Sequence, residues 1–288
     1  MNNGMLNTAV RAAQIAGKII IRNFEQGKLD VDEKQKNDLV TNIDRECEHA
    51  IRDFILGKYP EHRFLGEEGG EQQSPAAEKD EGSAGADAGN SPRKGHGSRS
   101  AGDCLWIVDP IDGTTNFVRG IPHVAVSIAM QINGRTELGV IYDPIRDEMF
   151  QALRGQGCEF NSRRMRVSGA TSLDGTVIAT AFPHRRRELV PGYTRTLMRV
   201  FNECADIRRA GTASLDLAYV AAGRLDGYFE LALSPWDLAA GELMVREAGG
   251  MVTDLEGGND YFTSGNIVCG NPRIVRQIVS LAREAAKQ

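Results

Sequence analysis

The run Leu105-Trp106-Ile107-Val108 is apolar without a break and passes directly into Asp109-Pro110-Ile111-Asp112-Gly113-Thr114-Thr115. A strand with no polar alternation has to be covered on both faces, so layers of helix or sheet must lie above and below it. Pro110 cannot donate to a strand ladder and is expected to stop the strand. Two carboxylates, three residues apart, then stand just past its end, and the glycine after them permits close approach of the backbone. A surface turn draws on the same residue types. An apolar strand leading into this density of acids, hydroxyls and glycine makes that plain explanation a poor one.

Around this run the chain alternates helix and strand signals. Leu6, Ala9, Val10, Ala13, Ala16, Ile20 and Phe24 recur at three- and four-residue steps and predict an amphipathic helix over Met5–Phe24. Asp38–Thr41 precedes a second helix from about Asn42 to Lys58, ended by Gly57 and Pro60. Strand-like runs follow at Ala125–Gln131, Leu138–Tyr142 and Glu148–Leu153, a meander of antiparallel character. Further on, Gly211–Gly223 and Trp236–Gly249 read as helices, Tyr228–Leu233 and Asn266–Cys269 as strands, and Ile274–Ala286 as a closing helix. The fold class is α+β.

Residues 71–102 stand apart: they contain no Val, Ile, Leu, Met, Phe, Trp, Tyr or Cys, and 17 of the 32 are Gly, Ala or Ser. With nothing to bury, such a segment cannot offset its ordering entropy and is expected to be a flexible, solvated insertion. At 288 residues the whole chain suits one large layered domain or two closely fused halves. We take it as one domain over 1–288. A net charge of −5 gives no general pull toward nucleic acid or anionic membrane. No apolar stretch approaches the roughly 18 residues a membrane span needs. Five scattered cysteines without a C-x-x-C pair exclude a disulfide framework or a structural zinc site and suit a reducing cytoplasm. The five histidines share no metal-ligand spacing.

The chemistry therefore rests on carboxylates. Asp109 and Asp112, with the Ile111 carbonyl between them, offer the oxygen ligands that a hard cation such as Mg²⁺ selects. The amides of Gly113-Thr114-Thr115, opening a new element, offer a cradle for an anion. Gly66-Glu67-Glu68-Gly69 is a second acidic site, and Pro235-Trp236-Asp237, at a helix start, a third. Taken singly, Asp237 is as readily explained by capping-box spacing with Ser234, and Asp44 by the same spacing with Thr41.

Taken together, Asp38-Leu39-Val40-Thr41-x-x-Asp44, Gly66-Glu67-Glu68, Trp106-x-Val108-Asp109-Pro110-x-Asp112-Gly113-Thr114-x-Asn116-Phe117 and Trp236-Asp237-x-Ala239-Ala240-Gly241 resemble the inositol monophosphatase family, across nearly the whole chain except 71–102. The resemblance implies a layered αβαβα sandwich, with a metal-site half to about residue 155 and a substrate-side half over 156–288, two or three Mg²⁺ per site, inhibition by lithium and a homodimer. It implies that Glu67, Asp109 and the Ile111 carbonyl hold a first metal, with Asp109 bridging to a second completed by Asp112 and Asp237. Thr114, bonded through Asp44 and near Glu67, would orient the attacking water, and Glu68 would support the first metal through water. The Gly113 and Thr114 amides would hold the phosphate. Gly211, Thr212, Ala213 and Glu230 would meet the alcohol half, with Arg208 and Arg209 close to a substrate phosphate or on an outer face. The arginines at 163–164 and 185–187 are read as solvated.

The activity so implied is Mg²⁺-dependent hydrolysis of a small phosphate monoester, foremost myo-inositol 1-phosphate. Fructose 1,6-bisphosphate, NADP or a nucleotide bisphosphate are the alternative substrates, because the side chains near Ser234 differ between branches of the family. Phe201–Asp206, Leu215–Gly227 and Gly241–Gly250 are most similar to a bacterial branch. That similarity implies a second role, binding Nus-type antitermination factors and RNA polymerase during ribosomal RNA synthesis.

Overall fold

The structure is a computed structural model, and it describes residues 2–26, 31–35, 38–72 and 103–287. Its first helix, α1 (Asn2–Gln26), buries Ala9, Ala12, Ala13, Ala16 and Ile20 completely. The 3.6-residue period of those small side chains is what lets the helix lie close on a sheet. Strands β1 (Val31–Gln35) and β2 (Asp38–Thr41) pair antiparallel and lead into α2 (Asn42–Leu56). Thr41 and Asp44 form the reciprocal cap at the start of α2, as their spacing predicts. Gly57 is the C-cap.

An eight-stranded sheet follows, built from β3 (Arg63–Gly66), β4 (Gly70–Gln72), β5 (Cys104–Asp112), β6 (Ala125–Ile132), β7 (Arg135–Asp143), β8 (Glu148–Leu153), β9 (Gly157–Phe160) and β10 (Arg163–Arg164). Its order is β10-β9-β8-β7-β6-β5-β3-β4, with β5 to β10 an antiparallel meander and β3 parallel to β5. The short α3 (Thr114–Val118) joins β5 to β6. A five-stranded sheet is built from β11 (Val177–Thr180), β12 (Asp206–Arg208), β13 (Gly227–Glu230), β14 (Met251–Thr253) and β15 (Ile267–Gly270), in the order β12-β11-β13-β15-β14.

The remaining helices are α4 (Val190–Glu203), α5 (Ala213–Ala221), α6 (Pro235–Glu247), α7 (Tyr261–Ser264) and α8 (Pro272–Ala286). Helices α1 and α2 cover one face of the large sheet, α5 and α6 fill the space between the sheets, and α4 and α8 cover the far face of the small one. The layers run α-β-α-β-α. Among the described residues no helix is long and apolar enough to cross a membrane.

Two expectations are corrected here. Pro110 does not end its strand: β5 continues to Asp112, with a register shift against β6 between Asp109 and Asp112. The irregularity accommodates the missing N–H. The insertion also begins later than residue 71, because Glu71 and Gln72 pair with Leu65 and Phe64 in the β3–β4 hairpin. The rest of that segment, 73–102, lies outside the described residues. Helix α4 is not among the helices read from the sequence, and Met198 and Phe201 on it are half exposed. Its buried positions are Tyr193, Thr196 and Val200.

Candidate active site

The bulge in β5 decides where its acids point. Along a regular strand, residues three apart face opposite sides of the sheet. With the extra residue absorbed between them, Asp109 and Asp112 face the same cavity. Asp237, in the first turn of α6, reaches it from the layer between the sheets. One carboxylate oxygen from each of Asp109, Asp112 and Asp237 lies within 4.8 Å of the others, and all three residues are buried. The cavity measures about 440 Å³ and is also lined by Glu67, Ile111, Gly113, Thr114, Gly211, Thr212, Ala213 and Glu230.

Each acid is fixed from behind. Asp109 accepts the Ile111 amide at 3.0 Å, Asp112 the Ser214 amide at 2.6 Å, and Asp237 the Ser234 amide at 2.7 Å. So Asp237 both caps α6 and lines the cavity, and its two sequence explanations hold together. Asp44 sits one layer back: Oδ2 takes the Thr41 amide at 2.8 Å and the Thr41 hydroxyl, while Oδ1 lies 3.1 Å from the Thr114 hydroxyl. The Thr114 hydroxyl is equally close, 3.1 Å, to the Ile111 carbonyl. Gly113 has φ 95°, and a Cβ there would stand 2.6 Å from Thr212 Oγ1, so only glycine fits this turn.

Burial and crowding load these groups electrostatically. Burial, then the charges of Glu67, Asp112 and Asp237, pushes the Asp109 carboxyl well above the ordinary range. Asp237 is displaced the same way, by burial first and then by Asp112 and Glu67. Burial pushes Asp112 up to about 6 against the opposing bond from Ser214. On the far wall Glu230 accepts the Tyr228 hydroxyl, and burial pushes its carboxyl up to about 7. Buried acids held this close and this reluctant to ionise fit the oxygen donor set of a hard divalent cation, whose charge removes the repulsion.

Some functional side chains were not legible in sequence. Glu48 is buried on α2, and its two oxygens accept the Glu68 and Gly69 amides at 2.7 Å each, which clasps the loop that carries Glu67. A Cβ at Gly66 would stand 2.3 Å from Glu48 Oε2, so glycine is required for this contact. The available signal was an acid one turn after Asp44 on the stripe of Ile43, Cys47, Ile51 and Ile55. Asn116 also lines the cavity. Glu68 does not line it; its amide is what Glu48 holds.

The arginines are reassigned. Arg208, expected near the substrate, pairs with Asp206 at 2.5 Å on the outside, and the adjacent Arg209 lines the cavity instead. Arg185, read as solvated, lines the cavity with Nη2 3.5 Å from Glu67 Oε1.

With the site described, its relatives can be compared. The model of the inositol monophosphatase family matches residues 1–287. The Nus factor SuhB of Escherichia coli strain K12 is 48% identical over 281 residues, covering 97% of this chain and 96% of that protein. Among solved structures, the extragenic suppressor protein suhB of Bartonella henselae superposes with a TM-score of 0.86 at 42% identity, covering 98% of this chain and 99% of that one. The inositol monophosphate-bound SaIMPase-II structure superposes with a TM-score of 0.75 at 26% identity, covering 99% and 95%. Family match, identity over nearly full length and shared architecture agree, and the chain belongs to the inositol monophosphatase family.

Proposed function

We propose that the cavity hydrolyses a small phosphate monoester, foremost myo-inositol 1-phosphate, with Mg²⁺ held by Asp109, Asp112, Asp237, Glu67 and the Ile111 carbonyl. The observation that carries this reading is the set of three buried carboxylates within 4.8 Å, facing the hydroxyl of Thr114. When bound, Mg²⁺ supplies Lewis acidity that makes a water nucleophilic and offsets charge on the leaving oxygen. The chain does the rest. The single hydroxyl proton of Thr114 is shared toward Asp44 Oδ1 and the Ile111 carbonyl, which leaves its lone pairs to accept a proton from the attacking water. As that proton arrives, Thr114 passes its own hydroxyl proton to Asp44 Oδ1; Asp44 acts as the carboxylate, held at its other oxygen by Thr41, and burial raises its affinity for the proton. The amides at Gly113–Thr115 open α3 without intrahelical partners and face the cavity, where they bind the phosphate. Glu230 and the Gly211–Ala213 turn bind the alcohol half.

The test is phosphate release from myo-inositol 1-phosphate, fructose 1,6-bisphosphate, NADP and a nucleotide bisphosphate, with and without Mg²⁺ and with added Li⁺. We expect Mg²⁺-dependent, Li⁺-sensitive turnover with the inositol ester preferred. Equal turnover of all four removes the inositol assignment, and no turnover of any removes the phosphatase.

A second reading concerns partners, and the similarity to proteins named Nus factor SuhB supports it. In it, the chain, as a cytoplasmic homodimer, also binds Nus-type antitermination factors and RNA polymerase. Pull-down with Asp112→Asn separates the two roles. Partner binding retained while hydrolysis is lost supports both.

A further inference from the structure

The cavity joins two turns that are distant in sequence. One is Gly113–Thr114 at the end of β5, and the other is Gly211–Ala213 before α5. One buried side chain, on the helix that the first turn opens, bonds both to the loop before β6 and to the residue just ahead of the second turn. Asn116, only 6% exposed on α3, places Nδ2 2.9 Å from the His123 carbonyl and 3.0 Å from the Ala210 carbonyl. An amide nitrogen carries two hydrogens, so one goes to each segment. The Thr212 hydroxyl donates to the same His123 carbonyl at 2.9 Å and lies 3.4 Å from Asn116 Nδ2. Both glycines abut this crossing: a Cβ at Gly113 would meet Thr212 Oγ1 at 2.6 Å, and one at Gly211 would meet Asn116 Nδ2 at 3.5 Å. Further polar links join the two sides, the Ser214 amide to Asp112 at 2.6 Å and the Thr212 hydroxyl to His123 among them. Asn116 stands apart because its one amide nitrogen holds both carbonyls at once.

We propose that Asn116 is a positioning residue that sets the spacing between the phosphate side and the alcohol side of the cavity. The proposal rests on the phosphatase reading of this cavity. The groups that activate water, Thr114 and Asp44, lie on one side of the bridge. Loosening the bridge displaces the Gly211–Ala213 turn and acts on substrate binding before it acts on hydrolysis.

Asn116→Asp keeps the volume and replaces the donors with acceptors that face two carbonyls; Asn116→Ala removes the group. KM for the best substrate is expected to rise about tenfold in each, the equivalent of one hydrogen bond, with kcat changing much less. The backbone amides of residues 210–213, followed by hydrogen–deuterium exchange, are expected to exchange about tenfold faster than in the wild type, by the same loss. Wild-type KM and wild-type exchange in Asn116→Asp overturn the proposal. So does a lowered melting temperature with KM unchanged, which marks a role in stability alone. If the wild-type protein hydrolyses nothing in the panel, the phosphatase reading falls and takes the positioning role with it. Exchange at 210–213 then reports only whether the bridge exists.

Discussion

Replacing Asp112 by Asn tests whether the acids of the cavity oppose folding until a cation arrives. Burial pushes the Asp112 carboxyl from its ordinary 3.8 up to about 6. A carboxyl whose folded value lies above its unfolded one holds its proton more tightly in the folded chain. Stability is therefore greatest at low pH, is lost as pH rises from 3.8 to about 6, and stays lost above it. At about 1.4 kcal/mol per pH unit of displacement, the loss from Asp112 is about 3 kcal/mol. For a chain of this size that corresponds to about 6 °C in melting temperature. Asn cannot ionise, yet its Oδ1 can still accept the Ser214 amide. Metal-free Asp112→Asn should therefore melt above the wild type at pH 7.5, and the gap should narrow toward pH 4. Magnesium at about 100 times its Kd should return about 2.7 kcal/mol to the wild type and much less to the variant. The assay is thermal unfolding in chelator and in Mg²⁺ across this pH range, with phosphate release measured in parallel and lost in Asp112→Asn. A variant that melts below the wild type in chelator at pH 7.5 refutes the reasoning, as does a wild type whose metal-free melting point is flat with pH.

Two other substitutions probe the supports of the site. Glu48→Ala leaves the Glu68 and Gly69 amides without their partner. It should cost about 1–3 kcal/mol in chemical denaturation and raise the Mg²⁺ concentration needed for half-maximal activity; an unchanged Mg²⁺ requirement shows that Glu67 does not depend on this clasp. Thr114→Val keeps the shape and removes the hydroxyl, so kcat should fall about 100-fold or more with KM nearly constant. Comparable kcat values clear Thr114 of any part in proton transfer.

What could be read from residues alone follows the range of the physics involved. The cap of α2 and the one at Asp237 depend on spacings of three residues, and both stand where the sequence puts them. Helices α1, α2, α5, α6 and α8 announce themselves because each has an apolar stripe or a glycine or proline boundary within a few residues. Strand β5 was legible as buried but not in its length, since the neighbouring β6 decides whether a proline can be absorbed in a bulge. Glu48, Asn116 and Arg185 were not legible as site residues because each has a partner that is far off in sequence, Glu68 at 20 positions, Ala210 at 94 and Glu67 at 118. Arg208 and Arg209 are chemically identical, and only their places in the fold, one at the end of β12 and the other just beyond it, separate the outer face from the cavity.

The carboxylate cluster joins Asp109 and Asp112, on a strand of the large sheet, to Asp237, at the start of a helix packed between both sheets. No stretch of chain shorter than the span from 109 to 237 can bring them together. Contacts of such sequence separation form late, after local helices and hairpins. A nascent or half-folded chain thus contains every acid of the site and no place for a divalent ion. In the reading proposed above, binding of a divalent ion would report that the two sheets have docked, and a partly folded species would gain none of its stabilisation. On that reading the cavity doubles as an assembly checkpoint, open only to a chain whose β5 and α6 already pack together.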